Sequence, residues 1–145
     1  MIGMIVTGHG KFAPGALDAL KLLVGEQEYC EAVEFEPSDS VEQLTEKIDA
    51  VWQRLAKECD GVVVFTDIPG GTPFNVSIRL KMERYPDSEV ISGTNVPILM
   101  TAALSHTDAD TAKDLANEAV EFIREQSFLF VPPEPGDDDD EVDED

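Results

Sequence analysis

Two stretches of this chain hold residue types that can do chemistry. In the first, His9 stands between Gly8 and Gly10, so its imidazole is approachable from both sides. The second is Thr66-Asp67-Ile68-Pro69-Gly70-Gly71-Thr72-Pro73-Phe74-Asn75. It sets a carboxylate ahead of a Gly70-Gly71 turn, and the turn ahead of a hydroxyl followed by proline. Thr72-Pro73 reads as a helix start, with the hydroxyl at the N-cap and proline at the first helical position. Free N–H groups at such a terminus favour an anion. An aspartate that accepts Nδ1–H from a histidine fixes the tautomer and leaves the Nε2 lone pair as a nucleophile. Asp67 is the natural partner for His9 in that arrangement. A phosphoryl group on Nε2 brings charged oxygens that the Gly71 and Thr72 amides, the Thr72 hydroxyl and the helix dipole can receive. Phosphoryl transfer asks mainly for positioning and charge stabilisation, and a phosphohistidine donor removes any need for a bound nucleotide. The chain has neither the lysine of a Walker loop nor the spacing of a dinucleotide fingerprint.

These residues need strands to bring them together. Ile2 to Thr7 reads as a first strand that delivers His9. Pro14 marks a helix, with Leu17, Leu20 and Val24 at helical spacing and Gly25 at its end. Cys30 to Phe35 alternates as a more exposed strand. Ser40-Val41-Glu42-Gln43 has the form of a capping box and opens a helix to about Glu58, with Val41, Leu44, Ile48, Val51 and Leu55 on one face. Trp52 lies beside that stripe, where packing is the default. Val62 to Phe65 is an apolar run of the kind buried on both faces of a sheet, and it delivers Asp67. The next helix carries Val76, Leu80 and Met82 and stops before Pro86. Ser88 to Ile91 is a fourth strand, followed by Ser92-Gly93-Thr94-Asn95-Val96-Pro97-Ile98-Leu99 and a short helix through Leu104. His106 falls in a polar loop and reads as solvated. A last helix runs from about Asp110, with Leu115, Ala119, Phe122 and Ile123 inward, and Phe128 to Val131 is a short final strand.

Alternation of this kind predicts an α/β fold, an open, doubly wound, mainly parallel sheet of four strands with helices on both faces. His9, the Asp67–Thr72 segment and Asn95 then share the carboxyl edge of the sheet, where open α/β sheets bind ligands. Residues 1–131 read as one domain and 132–145 as a proline-rich, then acidic, disordered tail.

Composition narrows the partners. The net charge is −21, and Glu134 to Asp145 holds nine acids and no base. Without that segment 22 acids still face 10 bases, so nucleic acid is not an expected partner. No apolar run approaches the roughly 20 residues of a membrane span, and Met1 leads straight into the first strand rather than a signal peptide. Cys30 and Cys59 have no metal-ligand spacing and fit reduced thiols in a cytoplasmic protein. His9 and Asp67 are the only ligands in sight for a metal, too few for a structural zinc, and no cofactor is implied.

The same residues carry a family resemblance. The segments Ile5-Val6-Thr7-Gly8-His9-Gly10, Thr66 to Asn75 and Ser92 to Leu99 resemble those of mannose-family enzymes IIA of the bacterial sugar phosphotransferase system, over roughly residues 1 to 130. The resemblance implies a phosphotransferase in which His9 takes a phosphoryl group from the phosphocarrier HPr and passes it to an enzyme IIB, itself coupled to the membrane enzymes IIC and IID. It gives Asp67 the role of orienting His9 and Thr72 that of contacting the phosphate, where the family often has serine. Gly71, Gly70 and Asn95 are further candidates for the phosphate site. It also implies a homodimer in which the final strand, here Phe128-Leu129-Phe130-Val131, crosses to the partner and lies antiparallel at the sheet edge. Some relatives continue into a fused IIB domain; the acidic end of this chain implies a separate IIB. Two other readings share these residues: the phosphotransfer subunit of a dihydroxyacetone kinase, and a non-catalytic regulatory module whose glycine turn binds an anion.

Overall fold

The computed structural model describes residues 1–136. Its elements, in chain order, are β1 (Ile2–His9), α1 (Phe12–Val24), β2 (Cys30–Phe35), α2 (Val41–Glu58), β3 (Gly61–Thr66), α3 (Thr72–Glu83), β4 (Glu89–Ile91), α4 (Val96–Ser105) and α5 (Ala112–Ile123). The strands form one sheet in the order β2-β1-β3-β4, and every pairing is parallel. The α/β class and the four-stranded sheet thus follow the reading of the sequence.

Each face of the sheet has its own core. Met4, Val6, Val63 and Phe65 point into one, which α1, α4 and α5 cover with Leu20, Leu99 and Leu115. Ile5, Val62 and Val64 point into the other, against Leu44, Ile48, Trp52 and Leu55 of α2 and Val76 and Leu80 of α3. The central strands β1 and β3 are therefore apolar on both sides, which their runs of valine and isoleucine satisfy. The chain winds outward from β1 in one direction and from β3 in the other. That reversal falls between the carboxyl ends of β1 and β3, the position at which open α/β sheets bind ligands, and these ends carry His9 and Asp67.

The capping box at α2 forms in full: the Ser40 Oγ accepts from the Gln43 N–H at 3.1 Å, and the Gln43 side chain accepts from the Ser40 N–H at 2.8 Å. Trp52 is fully buried and stacks on Tyr85 with ring centroids 4.6 Å apart.

Several expectations need correction. α3 begins one residue earlier than the Thr-Pro signal suggests: Gly71 is the N-cap, Thr72 the first helical residue and Pro73 the second, and no side chain caps this terminus. α1 starts at Phe12, before Pro14. Val41, Met82 and Phe122 point outward and are 45%, 74% and 47% exposed, because each sits on the edge of its helix stripe where the neighbouring element does not reach. His106 is not solvated but fully buried. Its Nδ1 lies 2.8 Å from the Ile2 carbonyl oxygen and its Nε2 3.2 Å from Gln27 Oε1, so the start of β1 and the segment after α1 close over it. Phe128 to Val131 forms no strand within this chain and stands 70–85% exposed. The acidic residues 137–145 of the expected tail lie outside the described residues.

Candidate functional site

β1 and β3 are paired in register up to Thr7 and Thr66, so the residues just beyond them meet at one edge. Thr66 is held from the other side, its hydroxyl donating to the Ile91 carbonyl at 2.8 Å and its own carbonyl accepting from the Thr94 N–H at 3.0 Å. Asp67 is the first residue past this fixed frame. Its Oδ2 accepts from the His9 backbone N–H at 2.9 Å and lies 2.8 Å from His9 Nδ1, and its Oδ1 accepts from the Ile68 N–H at 2.9 Å. One carboxylate therefore grips both the main chain and the ring of a residue 58 positions away. Partial burial of the Asp67 carboxyl works against its ionised form, yet the donated hydrogen bonds from His9 and Ile68 prevail and hold its pKa below the ordinary carboxylate value.

The approach is possible because Gly8 has no side chain. A Cβ there would fall 2.8 Å from Asp67 Cγ and 2.7 Å from Phe12 Cδ2. The imidazole itself is 46% exposed, while the Asp67 side chain is only 13% exposed. A ring that donates Nδ1–H to Asp67 keeps its Nε2 lone pair and turns it outward to solvent and to the start of α3. The nearness to α3 is direct: a Cβ on Gly71 would lie 2.8 Å from His9 Cε1 and 3.4 Å from Nε2.

The end of α3 that faces the ring is set up for an anion. The first intrahelical bond runs from the Asn75 N–H to the Gly71 carbonyl at 2.8 Å, so the amides at Gly71 and Thr72 precede the helical ladder and have no carbonyl of their own. Gly70 adopts φ +80°, which turns the loop into the helix, and its carbonyl accepts from the Asn75 side chain at 3.2 Å. Thr72 is half-buried in the first turn.

The structure thus brings His9, Asp67, Gly70, Gly71 and Thr72 to one place. Asn95 stands at the same sheet edge as the N-cap of α4, where its Oδ1 accepts from the Ile98 N–H at 3.0 Å. Sequence reading missed Phe35, whose ring lies T-shaped against His9 with centroids 5.7 Å apart. The signal was available, since Phe35 ends β2 as His9 ends β1, and parallel neighbours in register end together. Thr7 and Thr94, which fall within the motif segments, have buried hydroxyls with no partner among the described residues. No group of three His, Cys, Asp or Glu among the described residues is placed to hold a metal ion. No helix among them is long and apolar enough to cross a membrane.

Known proteins resemble this chain over most of its length. The family model EIIA-man, described as PTS system fructose IIA component, matches residues 3–120. The chain is 33% identical over 124 residues to the PTS system mannose-specific EIIAB component of Escherichia coli (strain K12), covering 86% of this chain but only 38% of that protein. It is 30% identical over 128 residues to the PTS system fructose-specific EIIA component of Bacillus subtilis (strain 168), covering 88% of this chain and 85% of that one. Among solved structures, phosphotransferase system component EIIA from Streptococcus agalactiae superposes with a TM-score of 0.77 at 34% identity, over 89% of this chain and 97% of that chain. The mannose/sorbose specific IIA subunit from Enterococcus faecalis superposes with a TM-score of 0.80 at 25% identity, over 91% and 96%.

Proposed function

This chain belongs to the mannose-type enzyme IIA family of the bacterial sugar phosphotransferase system, and on that premise we propose that His9 Nε2 is the atom that carries the phosphoryl group. The family makes the chain a component of a sugar phosphotransferase system. The step proposed for it is finer: His9 takes a phosphoryl group from HPr and yields it to an enzyme IIB that works with the membrane enzymes IIC and IID. Residues 1–131 are the unit that does so.

The observation that carries this reading is the 2.8 Å contact between His9 Nδ1 and Asp67 Oδ2, combined with an exposed Nε2 beside an uncapped helix start. In the transfer, Nε2 attacks phosphorus as the P–N bond to the donor's phosphohistidine breaks. The positive charge that develops on the His9 ring is met by the Asp67 carboxylate through Nδ1–H. The phosphoryl oxygens face the amides at Gly71 and Thr72 and the Thr72 hydroxyl, in the positive field of the α3 terminus. Return transfer runs the same steps backwards toward the acceptor. An open edge in place of an enclosing cleft suits a reaction in which both substrates are proteins that must reach the same nitrogen in turn.

In this reading the exposed Phe128–Val131 segment is the part that pairs with a second copy, since four apolar side chains standing 70–85% exposed gain most from being covered.

Incubation with phosphoenolpyruvate, enzyme I and HPr tests the assignment. The expected product is one phosphate per chain that survives base and is released by acid, and His9→Ala is expected to abolish it. Label retained by His9→Ala would refute the assignment. Onward transfer to a purified enzyme IIB, set against a dihydroxyacetone kinase, then identifies the acceptor.

A further inference from the structure

We infer that Phe35 is a positioning residue for His9, fixing the imidazole so that Nε2 meets an incoming phosphoryl group; the inference rests on the phosphoryl-carrier reading above. The register makes the juxtaposition. His9 and Phe35 are cross-strand partners in the parallel β1·β2 ladder, so their side chains leave the sheet on the same face. The Gly10 N–H donates to the Phe35 carbonyl at 3.0 Å and ties the two strand ends together past the ladder. Phe35 packs against the core that holds Ile5, Val33 and Leu44, so one side of its ring is anchored. Another side meets His9 at 5.7 Å between centroids and 64° between planes.

His9 needs that support. Its neighbours in sequence are glycines, and its ring is 46% exposed. The bond to Asp67 fixes Nδ1, but a single hydrogen bond is a hinge about which a ring can swing. Gly71 limits the swing on the Cε1 side, since no space exists there even for a methyl group. The aromatic contact with Phe35 supplies a further constraint. Bonds made and broken are those of the transfer itself, with the Nε2–P bond forming as the donor's P–N bond breaks. A T-shaped aromatic pair is worth about two- to tenfold in an equilibrium constant beyond its burial, which sets the size of the effect.

The test compares the full chain with Phe35→Leu, which keeps an apolar side chain but no ring, and Phe35→Tyr, which keeps the ring. Long-range proton–nitrogen NMR of the unphosphorylated protein reads the His9 tautomer. Single-turnover transfer from phospho-HPr at varied concentration separates maximal rate from half-saturation. Phe35→Leu is expected to lower the maximal rate about three- to tenfold with little change in half-saturation, and to replace the single His9 ring signature by an averaged one. Phe35→Tyr is expected to restore both. An unchanged ring signature and rate in Phe35→Leu, or an effect confined to half-saturation, would overturn the inference. Should Phe35→Leu fail to fold, Phe35→Met takes its place. Wild-type protein that takes no label on His9 would sink the carrier reading, while the ring spectra would still decide the role of Phe35.

Discussion

Gly71→Ala is the sharpest probe of the site because its two effects separate. The Gly71 backbone sits at φ −80° and ψ 172°, extended geometry that alanine adopts without strain. Alanine narrows the unfolded ensemble, which stabilises by about 0.4–1 kcal/mol. It is a poorer N-cap than glycine, which costs a comparable amount of roughly 0.5–1 kcal/mol. Folding stability should therefore stay within about 1 kcal/mol of wild type, a shift of only a few degrees in Tm for a chain of this size. The new methyl would lie 2.8 Å from His9 Cε1 and 3.3 Å from Ile68 Cγ1. Carbon atoms in contact prefer about 3.5–4.0 Å, so the exposed ring must yield by roughly 0.7 Å. That movement acts on a Nδ1···Oδ2 contact of 2.8 Å and stretches it toward the limit of a hydrogen bond. It also displaces Nε2 from the α3 amides. A misplacement near 1 Å costs about a hundredfold in a positioned reaction, so transfer to His9 should fall about ten- to a hundredfold. Rapid-quench labelling from phospho-HPr, quenched in base, measures the rate, and a thermal melt measures the stability. A Gly71→Ala protein that accepts phosphate at the wild-type rate would refute the claim that the ring and the helix start are in working contact. A large fall in Tm would show that the side chain disturbs folding and not the ring alone.

Asp67→Asn should lower phosphoryl acceptance by about a hundredfold or more while leaving His9 in place, because an amide does not stabilise the imidazolium character that develops in transfer; single-turnover labelling measures it. Asp67 ionises below its ordinary range in the folded chain, so its contribution to stability is complete above about pH 4, the unfolded carboxyl's value. That contribution is lost as pH falls through the lower folded value, and urea midpoints between about pH 5 and 2 should show an acid limb that Asp67→Asn flattens. Burial first, then the charge of Glu31, pushes the Cys30 thiol up to about 12. Alkylation at pH 8 should accordingly be about three orders of magnitude slower at Cys30 than at a free thiol, and mass mapping against a thiol standard checks it.

What could be read from the sequence depended on how far each decision reaches. His9 ends one strongly apolar strand, and Asp67 and the Gly70-Gly71-Thr72 turn follow another, so alternation of strands and helices was enough to put them on one edge. Local chemistry was enough for the α2 capping box too, because Ser40 and Gln43 satisfy each other within one turn. The α3 start was misread by one residue because a Thr-Pro pair has the composition of a cap, whereas the turn that enters this helix leaves Gly71 there. That displacement matters to the chemistry. A threonine at the N-cap would spend its hydroxyl on the helix, as Asn95 spends its side-chain Oδ1 on α4. At the first helical position the Thr72 hydroxyl makes no cap bond to the helix. Long-range contacts were not legible. His106 reads as a loop histidine until Ile2, 104 residues away, and Gln27, 79 residues away, close over it. Phe35 reads as one more strand residue until the ladder sets it against His9. His9 is thus found by its neighbours in sequence, whereas the partners that hold its ring, Asp67 and Phe35, are supplied by the sheet register.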